Sequence, residues 1–152
     1  MYASKIRYLA SVFVDADSIV PSPTHALEFL KTLGNDKFFP GIVNELSPTG
    51  PSPRLSFRTS DNSLRLNLLG KRFDFALTAK EGEGDDLGEF SKFCEEAKYI
   101  LALALSFFQR KAHRLAAVQE GFLKQMDSKE KDEIALRILN LPEFYKQVLP
   151  FE

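Results

Sequence analysis

Arg54, Arg58, Arg65 and Arg72 are the side chains whose type and spacing most readily suggest chemistry. Each falls on a polar position of an alternating apolar/polar pattern, so they are expected to share one face of a pleated sheet. A guanidinium carries a fixed fork of donors that fits a carboxylate or phosphate, and it does not give up its proton. The chemistry implied is recognition of an anionic surface, not bond making. Asp74 lies in the same register and partly offsets the charge. The plain alternative is a solvated outer face of an antiparallel sheet. Docking of an acidic protein is the functional expectation. A nucleic acid fits less well, because no aromatic residue is expected among these arginines and the net charge of the chain is −1.

The residues able to act as nucleophiles, bases or metal ligands are few. His25 is expected near a helix start and His113 within a basic cluster, Arg110 to Arg114, with no spacing that would join them on a metal. Cys94 is the only cysteine and stands on an apolar helical stripe, which predicts a packing thiol and excludes an internal disulfide. Glu81, Glu83, Asp85 and Asp86 form an acidic loop without the ligand ladder of a calcium-binding hand, so no metal or other cofactor is expected. No phosphate-binding glycine loop, dinucleotide fingerprint or nucleophile elbow occurs. These features predict a protein that is not an enzyme.

The arginines are positioned by a three-stranded meander over 54–78. Leu55 and Phe57, then Leu64, Leu66 and Leu68, then Phe73, Phe75 and Leu77 recur at every second residue. A type II′ turn at Gly70-Lys71 pairs Leu68 with Phe73, Leu66 with Phe75 and Leu64 with Leu77. A turn centred on Ser60-Asp61 would pair Phe57 with Leu64 and Leu55 with Leu66, setting Ser56, Arg65 and Ala76 side by side. Alternation from Ile6 to Val14 predicts an N-terminal strand. Ser22-Pro23 and Gly34 bracket a helix as N-cap, first-turn proline and C-terminal glycine. Phe38-Phe39 opens an apolar patch interrupted by Pro40, and Ser47 to Pro53 reads as a loop.

A long helix is predicted over 86–110, opened by a capping box of Asp86 and Glu89. Phe90, Cys94, Ala97, Leu101, Ala104 and Phe108 form its main stripe, with Phe93, Ile100 and Phe107 beside it. From Tyr99 onward it is apolar nearly all round, so one sheet alone would not cover it. Ile100 and Phe107, with Phe38 and Phe39, are therefore expected to meet a protein partner or a second copy of the chain. The segment beyond reads as a strand over 114–123 in preference to a continued helix, because Gly121 and Gln119 interrupt the stripe. Asp127 with Glu130 restarts a helix.

The whole 152-residue chain is thus expected to be one α+β domain: an antiparallel sheet packed on the long helix. Its 14 phenylalanines, with no tryptophan, predict a Phe-built core. The longest apolar run, Tyr99 to Phe108, is about half a membrane span, so no membrane segment is expected. One cysteine and no secretory leader point to the cytoplasm. The expected function is a non-catalytic accessory protein of a bacterium or phage, of the kind that serves as a secretion chaperone, immunity protein or defence subunit. The competing expectation is a small enzyme or anion-binding domain, with a pocket between sheet and long helix that uses Arg65 or His113.

Overall fold

The computed structural model describes residues 2–34, 36–48, 50–79, 87–123, 127, 129–130 and 132–133. Among these, the elements run β1 (Tyr2–Phe13), α1 (Pro23–Leu33), β2 (Phe38–Ser47), β3 (Gly50–Thr59), β4 (Leu64–Leu68), β5 (Arg72–Thr78), α2 (Phe90–Phe107) and β6 (Arg114–Leu123). All strand pairs are antiparallel, in the order β2-β3-β4-β5-β1-β6. Two helices on one face of an antiparallel sheet make an α+β, single-domain arrangement. No helix among the described residues is long and apolar enough to cross a membrane.

Alternation decides which sheet face is covered. Tyr8, Ala10 and Val12 of β1, Leu55 and Phe57 of β3, Leu66 and Leu68 of β4, and Phe73 and Phe75 of β5 all turn to the helices and are buried. Helix α2 lies across β1 and β5, while α1 packs on α2 and β2. Aromatic rings form the contact: Phe75 stacks on Phe93 with centroids 5.6 Å apart, and Phe29 meets Phe57 at 5.0 Å. Tyr8 turns its hydroxyl to the carbonyl of Gly88 at 2.9 Å, so a core ring also anchors the entry to α2. The expected core residues Phe57, Leu66, Phe75, Phe93 and Leu101 are buried together, and Phe108 packs half-buried against them.

Helix α1 begins and ends as predicted. Ser22 Oγ accepts from His25 N at 3.1 Å, Pro23 is the first helical residue, and Gly34 closes the helix with φ 60°. The strand at 114–123 is also present, paired to β1. Asp127 and Glu130 make the reciprocal bonds of a capping box, at 2.8 and 3.3 Å. Residues 129–130 and 132–133 are helical, as expected; the rest of that helix lies outside the described residues, as does the acidic loop Glu81 to Asp86.

Five expectations need correction. Helix α2 starts at Phe90, with Glu89 at its N-cap, and ends at Phe107, so it is shorter than 86–110 at both ends. The Phe38-Phe39 segment is a strand, with Pro40 tolerated because β2 is an edge strand bonded only to β3 among the described residues. Residues 50–53 of the supposed loop belong to β3, and the connection is a tight hairpin closed by Ser47 against Gly50, whose φ is 114°. Gly70 lies outside the left-handed region, so the β4–β5 connection is not a type II′ turn, although its predicted pairs all occur. The β3–β4 register is displaced by two residues: Leu55 faces Leu68 and Phe57 faces Leu66.

The exposed apolar surface expected for self-association is smaller than the sequence suggests. Ile100 is 3% exposed and Phe38 4%, both inside this chain's own core, and Phe107 rests against Phe29 and Phe108. Helix α1, not foreseen as a neighbour of α2, covers part of the apolar surface assigned to a partner through Phe29, while Phe39 and Tyr99 stay exposed.

Candidate functional site

The sheet face opposite the helices carries the arginines, and the observed register orders them in rows. One row runs Phe39, Arg58, Arg65, Ala76, Leu9 and Val118 across all six strands. The next runs Gly41, Ser56, Asn67, Asp74, Ser11 and Ala116. A groove of about 1190 Å³ opens on this face, bounded by Val43 to Leu46 of β2 on one side and by Arg7, Leu9 and Phe13 of β1 on the other. Arg65, Asn67, Arg72, Asp74 and Ala76 lie between them.

The second row is closed on itself. Ser56 Oγ donates to Asn67 Oδ1 at 2.7 Å and Ser11 Oγ donates to Asp74 Oδ1 at 2.6 Å. Arg72 Nε reaches the other oxygen of Asp74 at 2.9 Å, so the charge of Arg72 is spent locally. Arg7 is similarly paired with Glu120 at 2.7 Å, and Lys71 with Asp17 and Asp15 at 2.6 and 3.2 Å.

Arg54 is not a surface residue. It is 8% exposed and bonded to Glu45 at 2.8 Å and Asp17 at 2.9 Å, with a further donation to the Asp17 carbonyl at 3.2 Å. Glu45 also accepts from Gly70 N at 2.9 Å, so one node ties β2, β3, the β4–β5 turn and the segment after β1. This node explains Gly70: a Cβ there would collide with Asp17 Oδ1 and stand 2.5 Å from Arg54 Nη2. The Lys71 ammonium, hydrogen-bonded to Asp17, holds that carboxyl below its ordinary value against a smaller opposing effect of burial, and Arg54 adds to it. Asp17 and then Asp15 raise the Lys71 ammonium in return.

Arg58 and Arg65 are different. They are direct cross-strand partners, both exposed, and neither has a hydrogen bond or ion pair among the described residues. Like charges in this position oppose folding by a few tenths to about 1 kcal/mol. Both guanidinium forks are open to a ligand, with the exposed ring of Phe39 beside Arg58.

The expected site residues therefore separate. Phe39, Arg58, Arg65 and Arg72 share the outer face, while Phe38, Arg54, Ile100 and Phe107 are engaged elsewhere in the fold. Arg7, Asn67, Leu9 and Ala76 join the groove through β1 and the observed register. Alternation within β1 had marked Arg7 and Leu9 as one face, but no signal in the sequence set β1 beside β5. Between the sheet and the long helix, where a pocket was the competing expectation, Phe93 stacks on Phe75.

His25 lies in α1 and His113 in the connection before β6, where its N–H donates to Phe13 O at 3.0 Å. Cys94 is half-buried against the core. No group of three His, Cys, Asp or Glu residues able to hold a metal occurs among the described residues. A smaller hollow of about 480 Å³ holds His25 and Arg110 with Glu28, and Arg110 Nη2 donates to Ser18 Oγ at 2.5 Å. Comparison of the chain with protein-family models, curated proteins and solved structures finds no match.

Proposed function

We propose that this chain is a non-catalytic binding protein that docks an acidic segment of a protein partner on the outer face of its sheet. Its role would resemble that of a chaperone, immunity protein or defence subunit working in the cytoplasm. The observation that carries this reading is the Arg58–Arg65 pair, two exposed guanidiniums held side by side without counter-ions among the described residues. Placing like charges in register weakens the fold, and an acidic partner would relieve that cost on binding. Phe39, 53% exposed and next in the row, supplies an aromatic contact of the kind enriched in interface cores. The net charge of −1 disfavours a polyanion such as a nucleic acid, which needs a broad basic field.

The test is recovery of the partner from the native host with tagged protein, comparing the parent with the Arg58→Glu/Arg65→Glu variant. A partner held by the parent and lost by the charge-reversed, folded variant is the expected result. A specific partner retained equally by both overturns the reading.

A further inference from the structure

The groove has two chemically distinct stations, and their separation bears on what fits it. At one station Arg65 lines the groove and Arg58, its cross-strand partner on β3, stands just beyond the lining; neither cation has a partner among the described residues. At the other, Ala76 and Leu9 stand across β5 and β1 in the same row, a small and an aliphatic side chain without charge. Both Ala76 and Leu9 are half-buried and line the groove. The rows beside this floor are occupied by internally bonded groups, Asp74 with Ser11 on one side and Arg7 with Glu120 toward the other. The floor is thus an uncharged, apolar stretch of the row, continued by Val118 beside Leu9.

Strands lie about 4.8 Å apart, so the midpoints of the two stations are two spacings, or about 9.5 Å, apart. A ligand crossing the strands must offer an anionic group and an apolar group on the same side at that distance. A chain in the polyproline II conformation has three residues per turn and rises about 3.1 Å per residue, so residues i and i+3 point the same way about 9.3 Å apart. A β-strand puts same-side residues about 6.7 or 13.4 Å apart and misses both stations at once.

We infer that the groove takes an extended protein segment in which an acidic residue lies three positions from an aliphatic one, the acid on Arg58 and Arg65 and the aliphatic side chain on Leu9 and Ala76. This deepens the proposed function and rests on it. The acid supplies charge complementarity, and the aliphatic residue sets the register.

The experiment is fluorescence anisotropy with the full chain and short labelled peptides that carry two adjacent glutamates in a glycine-serine background. One pair of peptides has leucine three positions after or before a glutamate; controls move the leucine by one position, replace it with glycine, or replace the glutamates with glutamine. The expected result is that at least one member of the leucine-paired set binds about tenfold more tightly than the glycine and shifted-leucine controls, as burial of most of a leucine side chain implies. Arg65→Glu should abolish that binding, and Leu9→Ser should remove the preference for leucine and leave the glutamate dependence. Glutamate-dependent binding that ignores the leucine and its position overturns the inference while acidic docking stands. No binding of either leucine-paired peptide also overturns it. Acidic docking itself is then judged separately by whether the native partner is lost with Arg58→Glu/Arg65→Glu.

Discussion

At the scale of single residues, Arg58 and Arg65 oppose stability in the position where they would serve binding. A single change, Arg65→Glu, converts a like-charge cross-strand pair into an opposite-charge pair. It should raise unfolding free energy by up to about 1 kcal/mol in denaturant melts while abolishing capture of the acidic partner. A gain in stability with partner binding retained would mean that the pair has no part in docking. Gly70 illustrates a different residue-level constraint, since its turn does not use a left-handed backbone. A Cβ there would force the Asp17 carboxylate and the Arg54 guanidinium, which meet at that point, to shift. Gly70→Ala should therefore cost about 1–3 kcal/mol, the range for forcing extra atoms into a packed site. An alanine variant as stable as the parent would show that the node yields readily.

At the scale of elements, the sheet and α2 stabilise each other through rings. Phe75 of β5 is fully buried against Phe93 of α2. Phe75→Ala should lower stability by about 3–5 kcal/mol, read from the denaturation midpoint at unchanged slope. The β4–β5 turn is joined to the segment after β1 by Asp17 and Lys71, and that link has a pH signature. Asp17 is held below its ordinary 3.8, so its contribution is full above that value and disappears as pH falls through the lower folded value. Lys71 is raised above 10.5, so its contribution is full below that value and disappears as pH rises through the folded value. The link is constant between about pH 5 and pH 9. Lys71→Met should shrink the stability difference between neutral and strongly acid pH; an unchanged acid limb would show that the pair does not couple these elements. Both groups are open to solvent, so the effect is small.

At the scale of the whole molecule, one face of the sheet is committed to folding and the other is open. The helical face buries Ile100 and Phe38 within this chain's own core. The outer face holds the 1190 Å³ groove and the arginines that have no partner among the described residues. Affinity for the acidic partner should fall steeply as salt rises from about 0.05 to 0.5 M, because exposed charges are screened within about 10 Å or less over most of that range. Affinity independent of salt would instead place the interface on apolar surface. The triple change His25→Ala, His113→Ala and Cys94→Ser should leave partner capture intact, since none of the three lines the groove. Lost capture in a folded triple variant would point to a different site.

The division of faces was legible in the sequence because side-chain direction in a strand has a period of two. Any register consistent with that period sends Phe57, Leu66 and Phe75 to one side and Arg58 and Arg65 to the other. The ends of α1 were legible for a similarly local reason: Ser22, Pro23 and Gly34 act within one helical turn. The neighbours on the outer face were not legible. The β3–β4 connection is longer than a two-residue turn because Asp61 accepts from Thr59 Oγ1, Ser63 N and Ser63 Oγ, and Asn62 takes φ 57°. The resulting two-residue displacement preserves every face and changes every pair, bringing Arg58 opposite Arg65 in place of Ser56. The packing of Phe29 of α1 on Phe107 of α2 and the placement of Leu9 beside Ala76 depend on contacts between distant segments, which no local pattern specifies. The sequence alone determined which side chains share a sheet face; the tertiary structure decided which of them leave water and which charges meet, because strand neighbours are fixed by turn geometry and long-range pairing.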